Sequence, residues 1–189
     1  EPAFRSKIVY LVVCFSAAQR PENLILYYNL LPDLLKQLAT TTYSYFELSK
    51  QIALHTGGIG FVDSLITDIK DTDAFMPKLS FVAKCLNDKL DTTLDLVEEV
   101  LLRTDFSDKK RLQELINEVK TSIEGSMAAQ GNSVAAIRLS SYFCKSGAFA
   151  ECGNLNYYYF LCNLRDNFDE LADETIDKLR ETITYIVKQ

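Results

Sequence analysis

The sequence predicts an α+β fold, an antiparallel sheet of few strands covered on one face by about six helices. Three observations carry this. The run Lys7 to Phe15 is dense in Val, Ile, Leu and Tyr, residue types that suit a pleated surface. Two further strand-like runs, Ile59 to Thr67 and Phe75 to Leu86, are joined by the polar segment Asp68 to Asp73, which suits an antiparallel hairpin and is too short for a parallel crossover. Beyond Asn87 the apolar residues recur mostly at helical spacing.

Taken in order, Glu1 to Ser6 form a ragged beginning, and a single domain is expected over residues 7–189. Lys7 to Phe15 is apolar on both faces, which predicts a central strand. Gln19-Arg20-Pro21-Glu22 suits a helix start, because a first-turn proline loses no hydrogen bond. Leu24, Tyr28, Leu31, Leu35 and Leu38 share one face of that helix. Pro32 inside it predicts a kink or an early end.

Ser44-Tyr45-Phe46-Glu47 matches a capping box, so a second helix starts there and runs to about His55, where Gly57-Gly58 stops it. In the third strand Leu79, Phe81, Ala83 and Cys85 alternate with Lys78, Ser80, Val82 and Lys84, which predicts one wet face. Asn87-Asp88 is expected to cap the next helix, with Leu90, Leu94, Val97 and Leu101 as its stripe.

Residues 105–143 read as one long helix. Asp105 or Ser107 supplies the N-cap, and Asp108 places negative charge in the first turn. Its stripe is Leu112, Leu115, Ile116, Val119, Ile123, Met127, Val134 and Ile137, with Lys120 off it. The phase holds across Gly131-Asn132, a weak point at which a break is the alternative. Unbroken, the helix would run roughly 55 Å.

Lys145-Ser146-Gly147 breaks the chain, and Tyr157, Phe160, Leu161 and Leu164 then fall on one helical face. The run Asn156 to Leu161 could stack bases or line a peptide groove, but this periodicity favours packing. Asp169 is expected to cap a last helix that turns Ala172, Ile176, Leu179, Ile183 and Ile186 inward.

Composition narrows the function. A chain of 189 residues with 48% hydrophobic content can bury about 70% of its unfolded surface in one core. Net charge is −6 and no run of Lys or Arg reaches four, so nucleic acid is not an expected partner. No stretch is long and apolar enough for a membrane helix, so no membrane partner is expected. Cys14, Cys85, Cys144, Cys152 and Cys162 are odd in number and scattered, which fits buried thiols in an intracellular, reducing compartment.

Catalytic patterns are missing. There is no Cys-x-x-Cys pair and a single histidine, His55, which the negative helix end explains as a capping or surface residue. Gly57-Gly58-Ile59-Gly60 follows a helix and enters a strand, the reverse of a dinucleotide fingerprint. Glu98-Glu99 and Asp169-Glu170 are adjacent pairs, read as solvated faces of helices. The residues alone leave an α+β domain without assigned catalytic, cofactor-binding or metal-ligating side chains.

Several strings resemble, in order and spacing, the associated region of the pitrilysin or insulinase class of zinc metallopeptidases, in its presequence-protease and falcilysin branch. They are Tyr43-Ser44-Tyr45 with Glu47-Leu48; Thr56-Gly57-Gly58-Ile59; Thr104-Asp105-Phe106-Ser107-Asp108-Lys109; Ser140-Ser141-Tyr142-Phe143 with Ser146-Gly147-Ala148; and Tyr157-Tyr158-Tyr159-Phe160-Leu161.

The resemblance implies four homologous α+β domains closing around unfolded peptides, with the zinc motif His-x-x-Glu-His in the first alone. Aligning back from Gly57-Gly58 places Leu31-Pro32-Asp33-Leu34-Leu35 on that motif, with both histidines and the glutamate gone. The chain would then be the third domain, shaping the chamber wall and touching substrate, with its closing strands beyond Gln189. Zinc belongs to the parent, and the expected partners are the other domains, peptide substrate and, for this fragment, a second copy. A bacterial cytoplasm is the first expectation and an organelle matrix the second. The alternative is an independent peptide-binding or protein-interaction module.

Overall fold

A computed structural model describes residues 7–16, 21–68, 70–71 and 74–188. Glu1 to Ser6, like Gln19 and Arg20, lie outside these. The architecture is α+β, with a three-stranded antiparallel sheet and helices packed on one of its faces.

The sheet comprises β1 (Ile8–Ser16), β2 (Ile59–Thr67) and β3 (Phe75–Leu86), in the order β1-β3-β2. β2 and β3 form the expected hairpin, with Ile59 opposite Ala83 and Thr67 opposite Phe75. The central strand is β3, and β1 is an edge, contrary to the sequence reading. Of the two, β3 has the deeper inward row: Leu79, Phe81, Ala83 and Cys85 are buried, whereas β1 alternates between half-buried and exposed. The outward row of β1, Ile8, Tyr10, Val12 and Cys14, also carries large apolar side chains, and this made the strand look central.

The first helix is entered through a tight turn at Glu22–Leu24 and continues as α1 (Ile25–Leu34). Pro32 lies inside it, and the helix ends two residues later. Leu24, Tyr28, Leu31, Leu35 and Leu38 are all buried, as their spacing predicts. In α2 (Tyr45–His55) the capping box is complete: Ser44 Oγ accepts from the Glu47 N–H, and Glu47 accepts from the Ser44 N–H. Thr56, rather than His55, closes the helix, its N–H and hydroxyl both donating to the Ile52 carbonyl. The chain then turns at Gly58, whose φ of +127° suits glycine.

A short turn at Asn87–Lys89 precedes α3 (Leu90–Leu102), so Lys89 rather than Asn87 or Asp88 stands at the N-cap. This rotates the expected stripe. Thr93, Leu96, Val97, Val100 and Leu101 face the core, and Leu94 is exposed.

The long helix is α4 (Lys109–Ala129), shorter than the 105–143 span of the sequence reading. Asp108 caps it, accepting from the Arg111 N–H at 3.0 Å, while Asp105 closes a local turn with Ser107. Gln130 leaves helical geometry (φ −122°, ψ 36°), and α5 (Gly131–Ser140) starts afresh. The break falls at Gln130, one residue before the Gly-Asn weak point, and no continuous apolar seam carries the phase across it: α5 buries no residue, and Val134 and Ile137 are only half-buried.

Lys145-Ser146-Gly147 opens a helix, α6 (Lys145–Glu151), because Cys144 caps it by accepting from the Gly147 N–H. Next come α7 (Leu155–Asp166) and α8 (Phe168–Val187), the latter with Asn167, not Asp169, at its N-cap. Tyr157, Leu161 and Leu164 on α7 are buried. So are Ala172, Ile176, Leu179 and Ile186 on α8. These residues join Leu31, Leu96, Leu115 and Phe81 in one apolar cluster between sheet and helices. Each fully buried leucine there stabilises the fold by roughly 1.5–3 kcal/mol.

Candidate functional site

Leu31-Pro32-Asp33-Leu34-Leu35 forms the C-terminal part of α1 and its cap, with all three leucines no more than 1% exposed. These side chains offer no set of metal ligands, so a zinc ion does not fit this segment. Behind it stands Tyr157, whose buried hydroxyl finds no hydrogen-bond partner among the described residues. Burial, reinforced by the Asp33 and Asp63 charges, pushes its pKa far above the ordinary tyrosine value. Burial thus favours the neutral phenol.

His55 sits in the last turn of α2, as expected, with Nδ1 buried and unbonded among the described residues. The cysteines are free thiols. Only Cys85 is a buried hydrophobe of the kind the composition suggests; Cys14 is exposed on the outer sheet face. Among the described residues, no group of three or more His, Cys, Asp or Glu side chains could hold a metal ion.

Sequence reasoning missed three polar anchors. The first is Glu99, read as solvated but only 5% exposed. It accepts from the Thr42 N–H at 3.2 Å and pairs with Arg103 at 3.3 Å. Desolvation pushes its pKa up, but hydrogen bonds from Thr40 and Thr42 and the Arg103 charge outweigh this, leaving it below the usual carboxylate range. Its position three residues after Leu96, at the edge of the true α3 stripe, was the available signal. Glu98 and Asp169-Glu170 do lie in solvent.

The second anchor is Glu151 on α6, 2% exposed, bound by Arg138 of α5 at 3.0 Å and by Asn154 at 2.9 Å. The third is Lys120 of α4, 9% exposed, which pairs with Glu124 and lies over the Tyr158 ring of α7. Hydrogen bonds to Cys162 and Glu124 push the Tyr158 hydroxyl up to about 12. All three join separate elements of the fold, and their charges are already paired, so they serve architecture rather than turnover.

The outer face of the sheet, away from the helices, is the surface open to another molecule. Tyr10 and Val12 of β1, Val62 and Ile66 of β2, and Met76 and Leu86 of β3 are each at least 49% exposed. They share one face by register, with Val12 opposite Val82 and Gly60 opposite Val82 on its other side. Lys78, Ser80 and Lys84 of β3 lie among them on the same face, and exposed apolar side chains grouped in this way mark an interaction site more often than a solvated one. Among the described residues no helix is long and apolar enough to cross a membrane.

Residues 2–164 match the model of a peptidase-associated family, the associated region found in subfamily C of the pitrilysin-class peptidases. The chain is 32% identical over 180 residues to protein HypA of Clostridium perfringens, covering 94% of this chain and 18% of that protein. It is 34% identical over 174 residues to the mitochondrial presequence protease of Saccharomyces cerevisiae, covering 88% and 17%. It is 24% identical over 168 residues to presequence protease 1, chloroplastic/mitochondrial, of Arabidopsis thaliana, covering 88% and 16%. The chain thus spans less than a fifth of the length of these relatives.

Proposed function

Because the chain belongs to the peptidase-associated family of the pitrilysin class, we propose that it is a non-catalytic wall domain of a longer zinc metallopeptidase that degrades unfolded oligopeptides. The observation that carries this is the apolar outer sheet face. Six large side chains stand in solvent there, in a domain that folds its helices onto the opposite face. Such a face is suited to line a closed chamber or to meet a neighbouring domain, and unfolded peptides offer apolar side chains to it. Catalytic zinc would be held by another domain of the parent, since the α1 segment carries no ligand set for it. The compartment follows the parent: a bacterial cytoplasm, as relatedness to HypA suggests, or an organelle matrix, as the mitochondrial relatives suggest.

The test uses the full reading frame that contains this chain. The purified product should hold one zinc and cleave an unfolded peptide. Placing glutamates at Val12 and Val62 should lower kcat/KM at least tenfold with zinc content unchanged. A product without zinc or peptidase activity, or one indifferent to both glutamates, would overturn the reading.

A further inference from the structure

Two cavities meet at one end of the outer sheet face. One, of about 280 Å³, is lined by Tyr10, Gly57, Gly58, Gly60, Val82, Ala83 and Lys84. The other, of about 320 Å³, runs past Ile8, Leu54 and Leu86 to His55 and Lys89. They share Tyr10, Gly57 and Lys84, so together they form a single trough across the β1-β3-β2 order. The glycines make its floor: they replace side chains where β2 begins, beside Val82.

The trough is built rather than incidental in one respect. The Lys84 stem lies against Gly57 so closely that a Cβ there would come within 2.9 Å of it. The lysine stem thus packs on the Gly57 backbone where the two cavities adjoin. Lys89 and His55 lie at the far end, and among the described residues no carboxylate lines either cavity. In a chain of net charge −6 this is a local reversal of sign. Asp88 adjoins Lys89 in the turn but does not line the cavity. The walls are otherwise apolar, through Tyr10, Leu54 and Leu86.

We propose that this trough binds an extended peptide segment in which a large apolar side chain and an acidic one stand two residues apart, seating the apolar side chain over Gly60 and Val82 and the carboxylate at Lys84 and Lys89. Extended chain presents alternate side chains to one surface at the spacing of the strands beneath it. Carboxylate pairing with lysine supplies the selectivity, and apolar contact supplies the affinity. The inference does not require the peptidase reading, and binding by this chain alone is its readout, so the two fail separately.

The test measures fluorescence anisotropy with the terminally blocked octapeptide Leu-Ser-Glu-Ser-Leu-Ser-Glu-Ser, against the same peptide with glutamine in place of each glutamate. The acidic peptide should bind at least tenfold more tightly, and the advantage should vanish in the Lys84→Gln/Lys89→Gln double variant. Should that variant unfold, Lys89→Gln alone should remove most of the advantage. Equal binding of the two peptides, no binding of either, or an advantage that survives these substitutions would overturn the proposal.

Discussion

The backbone N–H of Thr42 donates to the carboxylate of Glu99 across 57 residues of sequence, at 3.2 Å. Thr40 pairs with Thr104 in an isolated bridge beside it, so the loop before α2 is fastened both to the end of α3 and to the connection that follows. Removing the carboxylate leaves the Thr42 N–H only its longer bond to Thr40 Oγ1, at 3.4 Å, and breaks the charge-assisted bond and the pairing with Arg103. Glu99→Ala should cost about 2–3 kcal/mol, while Glu98→Ala, in solvent, should stay within about 0.5 kcal/mol. Denaturant midpoints of the two variants check this. The pH dependence follows from the sign of the shift. The folded pKa lies below the ordinary 4.5, so the contribution is complete above that value and fades as pH falls through the depressed one. Glu99→Gln should flatten the stability profile in that acidic window.

On α4, Ile116 is fully buried and Ile123 only half-buried, although both belong to the predicted stripe. Ile116→Ala should cost roughly 2–5 kcal/mol and Ile123→Ala clearly less. Urea titration of both variants, with equal losses as the contradictory result, tests where the helix leaves the core.

Much of the fold was legible, because periodicity reports burial directly. The α1, α7 and α8 stripes and the capping box at Ser44 follow from local chemistry. Errors arose where tertiary context decided between local alternatives. The apolar outer row of β1 reads as core in sequence, since nothing in the string says that its far side lies open. The Gln130 break and the rotated α3 stripe depend on what each helix packs against. Buried Glu99, Glu151 and Lys120 escaped notice because their partners lie far away in sequence or on another helix. The trough at Lys84 was invisible for the same reason: it joins the end of α2, the β2 start and two strands.

At the α5–α6 junction a Cβ on Gly147 would lie 2.5 Å from the Ser140 carbonyl, whereas one on Gly125 meets nothing within 4 Å. Gly147→Ala should therefore destabilise by about 1–3 kcal/mol. Gly125→Ala, inside α4, should stabilise by up to about 1 kcal/mol. Thermal unfolding of the two alanine variants gives opposite signs if the close approach is real.

Among the described residues β1 and β2 each pair on one side only, and both display apolar outer rows. Natural sheets usually cover such edges. The chain by itself should self-associate, with weight-average mass rising with concentration in light scattering. Lysines at Val12 and Val62 should suppress the rise. A strictly monomeric chain at high concentration would contradict it.

A wall domain whose parent holds zinc elsewhere should bind none itself. Elemental analysis of the purified 189-residue chain, after equilibration with zinc and gel filtration, tests this most directly, with peptide cleavage followed in the same sample. Zinc should stay well below one ion per chain, with no chelator-sensitive cleavage. One tightly held zinc per chain, with cleavage that a chelator abolishes, would contradict it.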